Sequence, residues 1–256
     1  MGEAGQGRFL KALRITAWRR GKGHTLADPP GFLNNLLFWP FWLFCRLGAR
    51  LWFRLRIEGS PPKTGAYVLA ANHVSLIDPI VLGASVRRRI VYLMTEVVWR
   101  SPRGGWFYRW MRAIPVAVRG GNREALRVAR AVLQQQRVVG IFPEGGLSRD
   151  GLPMLGSPGA VSLVLNEGIP IVPVAIIGAE RALPLGCVWP RPCRITVRFG
   201  EPILPAAFHA LGQARRGRLQ AATRLIMERI ASLAGHQSRE AILAAHGVAA
   251  RIGHGS

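Results

Sequence analysis

Asn72-His73-Val74-Ser75-Leu76-Ile77-Asp78 is the stretch on which the fold turns. The apolar run Tyr67-Val68-Leu69-Ala70-Ala71 leads into it, with the residue types that fill a buried strand, and Pro79 with a Leu/Ile/Val-rich segment follows. His73 is thereby placed at the exit of a strand and the entrance of a helix. Asn72 or Ser75 is expected to accept a bond from the first free N–H groups of that helix. The offset from His73 to Asp78 is about 140° around an ideal helix, so the two side chains meet only if His73 precedes the first regular turn. A strand-to-helix junction permits this. An imidazole held by a carboxylate through one ring nitrogen keeps the other free to take a proton, the arrangement of a general base at neutral pH. The same pair equally fits a capping contact at a loop, so the chemistry rests on a second stretch.

That stretch is Val138-Val139-Gly140-Ile141-Phe142-Pro143-Glu144-Gly145-Gly146, again a buried-looking strand, ending in a proline, an acid and two glycines. Tight glycine turns at a strand end present backbone N–H groups to an anion or a developing oxyanion. Together the two stretches resemble the glycerolipid acyltransferase family, typified by lysophosphatidic acid acyltransferase, whose marks are N-H-x-x-x-x-D and F-P-E-G. They stand in the family's order and about seventy residues apart. The resemblance runs from Ile57 to Ile203, taking in Glu58-Gly59, Met94-Thr95-Glu96, Ala113-Ile114-Pro115-Val116 and Ile171-Val172-Pro173-Val174.

The resemblance implies that His73 deprotonates an acceptor hydroxyl and that Asp78 orients and supports it. The hydroxyl attacks an acyl thioester directly, so no nucleophilic cysteine is required. Asn72 and Ser75 count among the substrate-binding residues, and Glu144, Gly145 and Gly146 line the acceptor or oxyanion side. Arg119 is the candidate for the acceptor's phosphate, since guanidinium groups match phosphate oxygens with paired bonds. The family usually reads I-x-V-x-R there, whereas Ile114-Pro115-Val116-Ala117-Val118-Arg119 sets the arginine one place later, which in a strand reverses its face. A second departure bears on the acceptor. Members that use lysophosphatidic acid read F-P-E-G-T-R-S, and here Gly146 and Leu147 replace Thr and Arg. Either Arg149 substitutes from two residues on, or the acceptor carries a different headgroup.

With 256 residues the chain can bury one good core. Its formal net charge of +22 is almost wholly arginine, lysine occurring only at Lys11, Lys22 and Lys63. Such a field attracts nucleic acid, anionic lipid or anionic substrates such as acyl-CoA. Aromatic residues concentrate in one N-terminal segment instead of interleaving with arginine over a sheet, which disfavours single-strand recognition, and no nucleic-acid partner is expected. Cys45, Cys187 and Cys193 are scattered, His24, His209, His236, His246 and His254 are dispersed, and no metal site or cofactor is expected beyond acyl-CoA or acyl carrier protein as co-substrate.

Residues 1–31 carry Arg8, Lys11, Arg14, Arg19, Arg20 and Lys22, and a short amphipathic helix or a loose basic arm is expected there. Phe32 to Phe53 packs in Trp39, Trp42, Trp52 and several phenylalanines, with Arg46, Arg50 and Arg54 recurring every four residues. That composition predicts a helix pair broken near Pro40, lying in one leaflet with arginines on phosphates and tryptophans at headgroup level. The alternatives are a helix packed on the soluble core or a true span with snorkelling arginines. No secretory signal is read.

Beyond Leu55 short apolar runs alternate with amphipathic ones. Strands are expected at Arg56–Glu58, Tyr67–Ala71, Ile90–Met94, Ala113–Val118, Val138–Phe142, Ile171–Ile177 and Arg194–Phe199. Helices are expected at Ile77–Ser85, Trp106–Arg112, Arg123–Gln135 and Ala160–Glu167, and a further one within Pro205–Ala234, most regular over Leu219–Leu233. The Arg123–Gln135 segment should turn Leu126, Ala129, Val132 and Leu133 inward. The expected architecture is a mixed, largely parallel central sheet flanked by helices. It divides into a basic arm with membrane-associated helices over 1–54, an acyltransferase α/β domain over 55–234 and a tail over 235–256. The expected partners are a lysophospholipid acceptor, an acyl thioester donor and the membrane surface, with the active site facing the cytoplasm. Against this stands a non-catalytic basic binding domain in which His73 is structural.

Overall fold

A computed structural model describes residues 30–102, 104–117, 122–148, 156, 161–162, 168–211 and 214–236. The basic arm, Arg119, Arg149, most of the helix expected over Ala160–Glu167 and the tail from residue 237 lie outside the described residues. The centre is a seven-stranded sheet. Its strands are β1 (Arg56–Glu58), β2 (Tyr67–Ala71), β3 (Ile90–Thr95), β4 (Ile114–Val116), β5 (Val138–Ile141), β6 (Ile171–Ile177) and β7 (Thr196–Phe199). The spatial order is β1-β7-β6-β2-β5-β3-β4. Every pairing is parallel except β6 with β7. The mixed, largely parallel sheet expected from the sequence is thus observed.

All five residues of β2 are buried because both faces of the sheet are covered. Tyr67, Leu69 and Ala71 join the cluster formed with helices α1 (Phe32–Trp52) and α2 (Asp78–Ser85). Val68 and Ala70 join the opposite cluster, formed with α5 (Arg123–Gln134) and α8 (Arg215–Ala234). Short helices α3 (Glu96–Trp99), α4 (Gly105–Trp110), α6 (Ala179–Ala182) and α7 (Pro205–His209) fill the connections. In α5 the deepest residues are Ala125, Val128, Ala129, Val132 and Leu133, while Leu126 is half-buried at the edge of the stripe. The inward face is therefore rotated slightly from the one expected.

The N-terminal segment differs from the helix pair that Pro40 suggested. One helix runs from Phe32 to Trp52 with Pro40 inside it. Contacts on both sides of the proline hold it against the domain. Asn34 donates to Trp110 O at 3.1 Å, Phe38 is buried under the Arg89 guanidinium at 4.4 Å, and Ala49 enters the core. Trp42 Nε1 lies 3.0 Å from Gly83 O and 2.9 Å from Val86 O, and Arg46 Nη1 donates to Ala84 O at 2.6 Å. These donors satisfy carbonyls that the end of α2 leaves open. Arg46 is thus committed to a helix terminus, and Arg54 lies beyond the helix at φ 44°. The row of three arginines on one helical face is not formed. The outer side of α1 still exposes Leu33, Leu36, Leu43, Phe44 and Leu47.

Candidate active site

β2 and β5 are neighbours in register, Ala70 opposite Ile141, so the two sequence motifs emerge side by side at the carboxyl end of the sheet. The chain leaving β2 crosses one face through α2, and that leaving β5 carries Val161 to the other. Loops that part in this way open a crevice between adjacent strand ends, where α/β proteins place their ligands.

His73 sits in that crevice. Its Nδ1 is 2.9 Å from Asp78 Oδ2, and the same oxygen accepts the N–H groups of Val74 and Ser75, each at 2.7 Å. An oxygen already accepting two backbone donors suits a ring donor, which puts the Nδ1 hydrogen toward Asp78 and, in the neutral ring, the lone pair on Nε2. Asp78 is fully buried, which pushes its carboxyl above the ordinary range, while the bonds from His73, Ser75 and Val74 pull it back. The imidazole side chain retains 18% exposure, open to a partner from outside.

The second motif holds the main chain of the first. Glu144 Oε1 accepts the N–H of His73 at 3.1 Å, and Ser148 N–H donates to His73 O at 2.7 Å. Glu144 is itself buried. Gly145 adopts φ 71°, a left-handed conformation that glycine reaches without strain, and its N–H closes the turn onto Phe142 O at 3.1 Å. That N–H is therefore already used within the turn and does not face the crevice as a free oxyanion donor. Glu144→Ala removes the acceptor of a half-buried N–H; it is expected to cost about 1–3 kcal/mol, read as a lower denaturant midpoint, together with slower turnover.

Asn72 and Ser75, expected to cap the helix and contact substrate, are bonded elsewhere. Asn72 Nδ2 donates to Ile176 O at 2.9 Å and its Oδ1 accepts Ile176 N–H at 2.7 Å, stitching the loop to β6. The Ser75 hydroxyl donates to Leu183 O at 3.0 Å. Both side chains are buried, and the residue that gathers the loop N–H groups is Asp78 at the first position of α2. Sequence reading missed Phe142, whose ring stacks on His73 with centroids 4.2 Å apart, and Tyr92, stacked behind it at 6.1 Å. Phe142 belongs to the F-P-E-G motif but reads locally as the last residue of a strand. The structure brings His73 together with Asp78 and Glu144, Gly145 and Gly146 continue the turn after Glu144, and the Asn72 and Ser75 side chains tie the loop to Ile176 and Leu183; Arg119 and Arg149 lie outside the described residues.

Among the described residues no group of His, Cys, Asp and Glu could hold a metal ion. Burial pushes the Cys45 thiol up to about 11, the opposite of an activated nucleophile.

A family profile described as Acyltransferase matches residues 54–177. A 1-acyl-sn-glycerol-3-phosphate acyltransferase from Limnanthes douglasii is 31% identical over 156 residues, covering 58% of this chain and 54% of its own length. A protein of the same description from Bacillus subtilis is 26% identical over 173 residues, covering 67% and 83%. One from Cocos nucifera is 30% identical over 156 residues, covering 58% of this chain and 49% of its own. The chain thus spans about half the length of the plant relatives. The crystal structure of the 1-acyl-sn-glycerophosphate acyltransferase PlsC from Thermotoga maritima has a TM-score of 0.61 at 23% identity, covering 75% of this chain and 78% of that one. That likeness speaks for the fold. With the profile and the relatives in agreement, residues 54–177 match the acyltransferase family, and the chain is similar to 1-acyl-sn-glycerol-3-phosphate acyltransferases.

Proposed function

We propose that this chain moves a fatty acyl group from a thioester, acyl-CoA or acyl carrier protein, to the free hydroxyl of a lysophospholipid, foremost 1-acyl-glycerol-3-phosphate. The observation that carries the reading is the imidazole fixed through Nδ1 by Asp78 while its main chain is clamped by Glu144 and Ser148. Nε2 accepts the hydroxyl proton as the oxygen attacks the thioester carbonyl. The tetrahedral adduct then collapses, the carbon–sulfur bond breaks, and the leaving thiolate takes the proton from the imidazolium. Phe142 supports the ring plane throughout. Positioning and proton transfer are the contributions assigned to the protein; no acyl-enzyme forms.

A second reading keeps the chemistry and changes the acceptor. Gly146 and Leu147 stand where the family places Thr and Arg, which favours another headgroup, as in lysophosphatidylethanolamine or a lyso-ornithine lipid. Initial rates over a panel of these lysolipids decide it. The first reading predicts the highest kcat/KM on 1-acyl-glycerol-3-phosphate, and preference for a zwitterionic acceptor replaces it with the second. Loss of discrimination is worth about tenfold per 1.4 kcal/mol of headgroup contact.

Membrane association belongs to the same proposal. No described helix is long and apolar enough to cross a membrane, and α1 carries an exposed apolar side on a helix fixed to the domain. Such a helix suits a position in the plane of the interface, its apolar side roughly 5–10 Å into the leaflet. The unpaired cysteines Cys45, Cys187 and Cys193 suit a site on the cytoplasmic side.

A further inference from the structure

The register of the sheet places a second apolar surface beside the catalytic loop. Ile177, at the carboxyl end of β6, lies opposite Thr196, which lies opposite Arg56. The end of α1 and the chain following α6 therefore stand at the same end of the sheet as His73. Two bonds fix that chain between its neighbours. The Ser75 hydroxyl donates to Leu183 O at 3.0 Å, and Trp52 Nε1 donates to Pro190 O at 3.3 Å.

Between these anchors the backbone makes a tight turn. Cys187 N–H donates to Pro184 O at 3.0 Å, with Gly186 at φ 86° in the position that needs a left-handed residue. The turn holds its hydrophobic side chains away from the protein. Val188 is 82% and Trp189 83% exposed, Leu185 is exposed beside them, and Leu51 and Trp52 continue the surface from α1. Arg50 and Arg54 flank Leu51 and Trp52 in the chain, Arg191 and Arg194 follow Trp189, and all four are exposed. The nearby acids Glu58 and Glu180 are paired with Arg56, Arg198 and Arg181.

We propose that Leu185 to Trp189 form a second bilayer contact, a wedge that enters an anionic leaflet and opens the His73 crevice at the lipid surface. The occupant follows from the pairing of chemistries. An exposed indole and aliphatic tip suit the headgroup boundary, and flanking arginines suit anionic phosphates. The inference rests on the lysolipid acyl-transfer reading, because a membrane-borne acceptor is what makes the wedge useful.

Flotation of the full chain with phosphatidylcholine vesicles, with and without phosphatidylglycerol, tests it. Wild type should partition onto the phosphatidylglycerol vesicles, and V188S/W189S should lose about tenfold or more of that partition, with W189S intermediate. The substituted side chains are exposed, so melting temperatures should match wild type, and transfer to a water-soluble short-chain lysolipid should be unchanged while transfer to vesicle-borne acceptor falls. Equal flotation of wild type and V188S/W189S overturns the proposal. So does a variant whose self-association changes in light scattering while its flotation does not, which would give the surface to a second copy. Absence of acyl transfer by wild type to any lysolipid would sink the functional reading alone, since flotation judges the wedge separately.

Discussion

Asp78→Ala is expected to lose roughly 2–6 kcal/mol of stability as well as acyl transfer, whereas Asp78→Asn should keep its stability and lose only the rate. The first figure follows from Oδ2, which accepts the N–H groups of Val74 and Ser75 in a buried loop; each donor left unpaired costs about 1–3 kcal/mol. That is a large share of a typical folding free energy of about 5–15 kcal/mol. Asparagine keeps an oxygen for those donors and removes the charge. Burial raises the Asp78 carboxyl, so its ionised form is costlier in the folded protein than in the unfolded chain. The group's contribution is full below the unfolded carboxylate range and declines as pH rises through the folded value, which asparagine avoids. Without the carboxylate the ring loses the acceptor that fixes Nδ1–H and stabilises the imidazolium. The rate loss can approach the roughly 10⁴-fold known for neutralising the corresponding carboxylate in a serine-protease triad. Denaturant unfolding and initial rates on the two variants check both halves.

Local patterns in the sequence were enough for most elements because burial on both faces leaves an uninterrupted apolar run. Tyr67–Ala71 and Ile171–Ile177 are observed with the bounds their composition implies. Partners far along the chain were not legible. Nothing near Asn72 or Ser75 indicates that their side chains bond to Ile176 and Leu183, 104 and 108 residues away, and a polar residue at a loop reads by default as a cap. Arg46 failed as a lipid-facing residue for the same reason, since its acceptor Ala84 O lies 38 residues on. Pro40 suggests a break wherever local hydrogen bonding decides, and here contacts of Asn34, Trp42 and Arg46 outweigh the one bond it removes. The histidine–carboxylate pair was legible because its geometry depends on a short loop. The clamp on His73 by Glu144 and Ser148 depended on β2 and β5 being adjacent, which no periodicity reveals.

His73→Ala should fold and yet lose about 10²–10⁴ in turnover. Its fold should survive because the loop is held through the main chain of residue 73 by Glu144 and Ser148, and by Asp78 through Val74 and Ser75. Alanine retains every one of those bonds. The loss then belongs to the imidazole alone: no other base stands at the carboxyl end of β2 with its second nitrogen open, among the described residues. Substrate affinity should change little, since a general base contributes in the transition state. A purely structural histidine predicts the reverse pattern, lower stability and unaltered rate. The decisive measurement is the initial rate of acyl transfer from acyl-CoA to 1-acyl-glycerol-3-phosphate by wild type and His73→Ala at equal folded concentration. A variant slower by about 10²-fold or more, with matching thermal melts, is the predicted result; equal rates for the two proteins would contradict it.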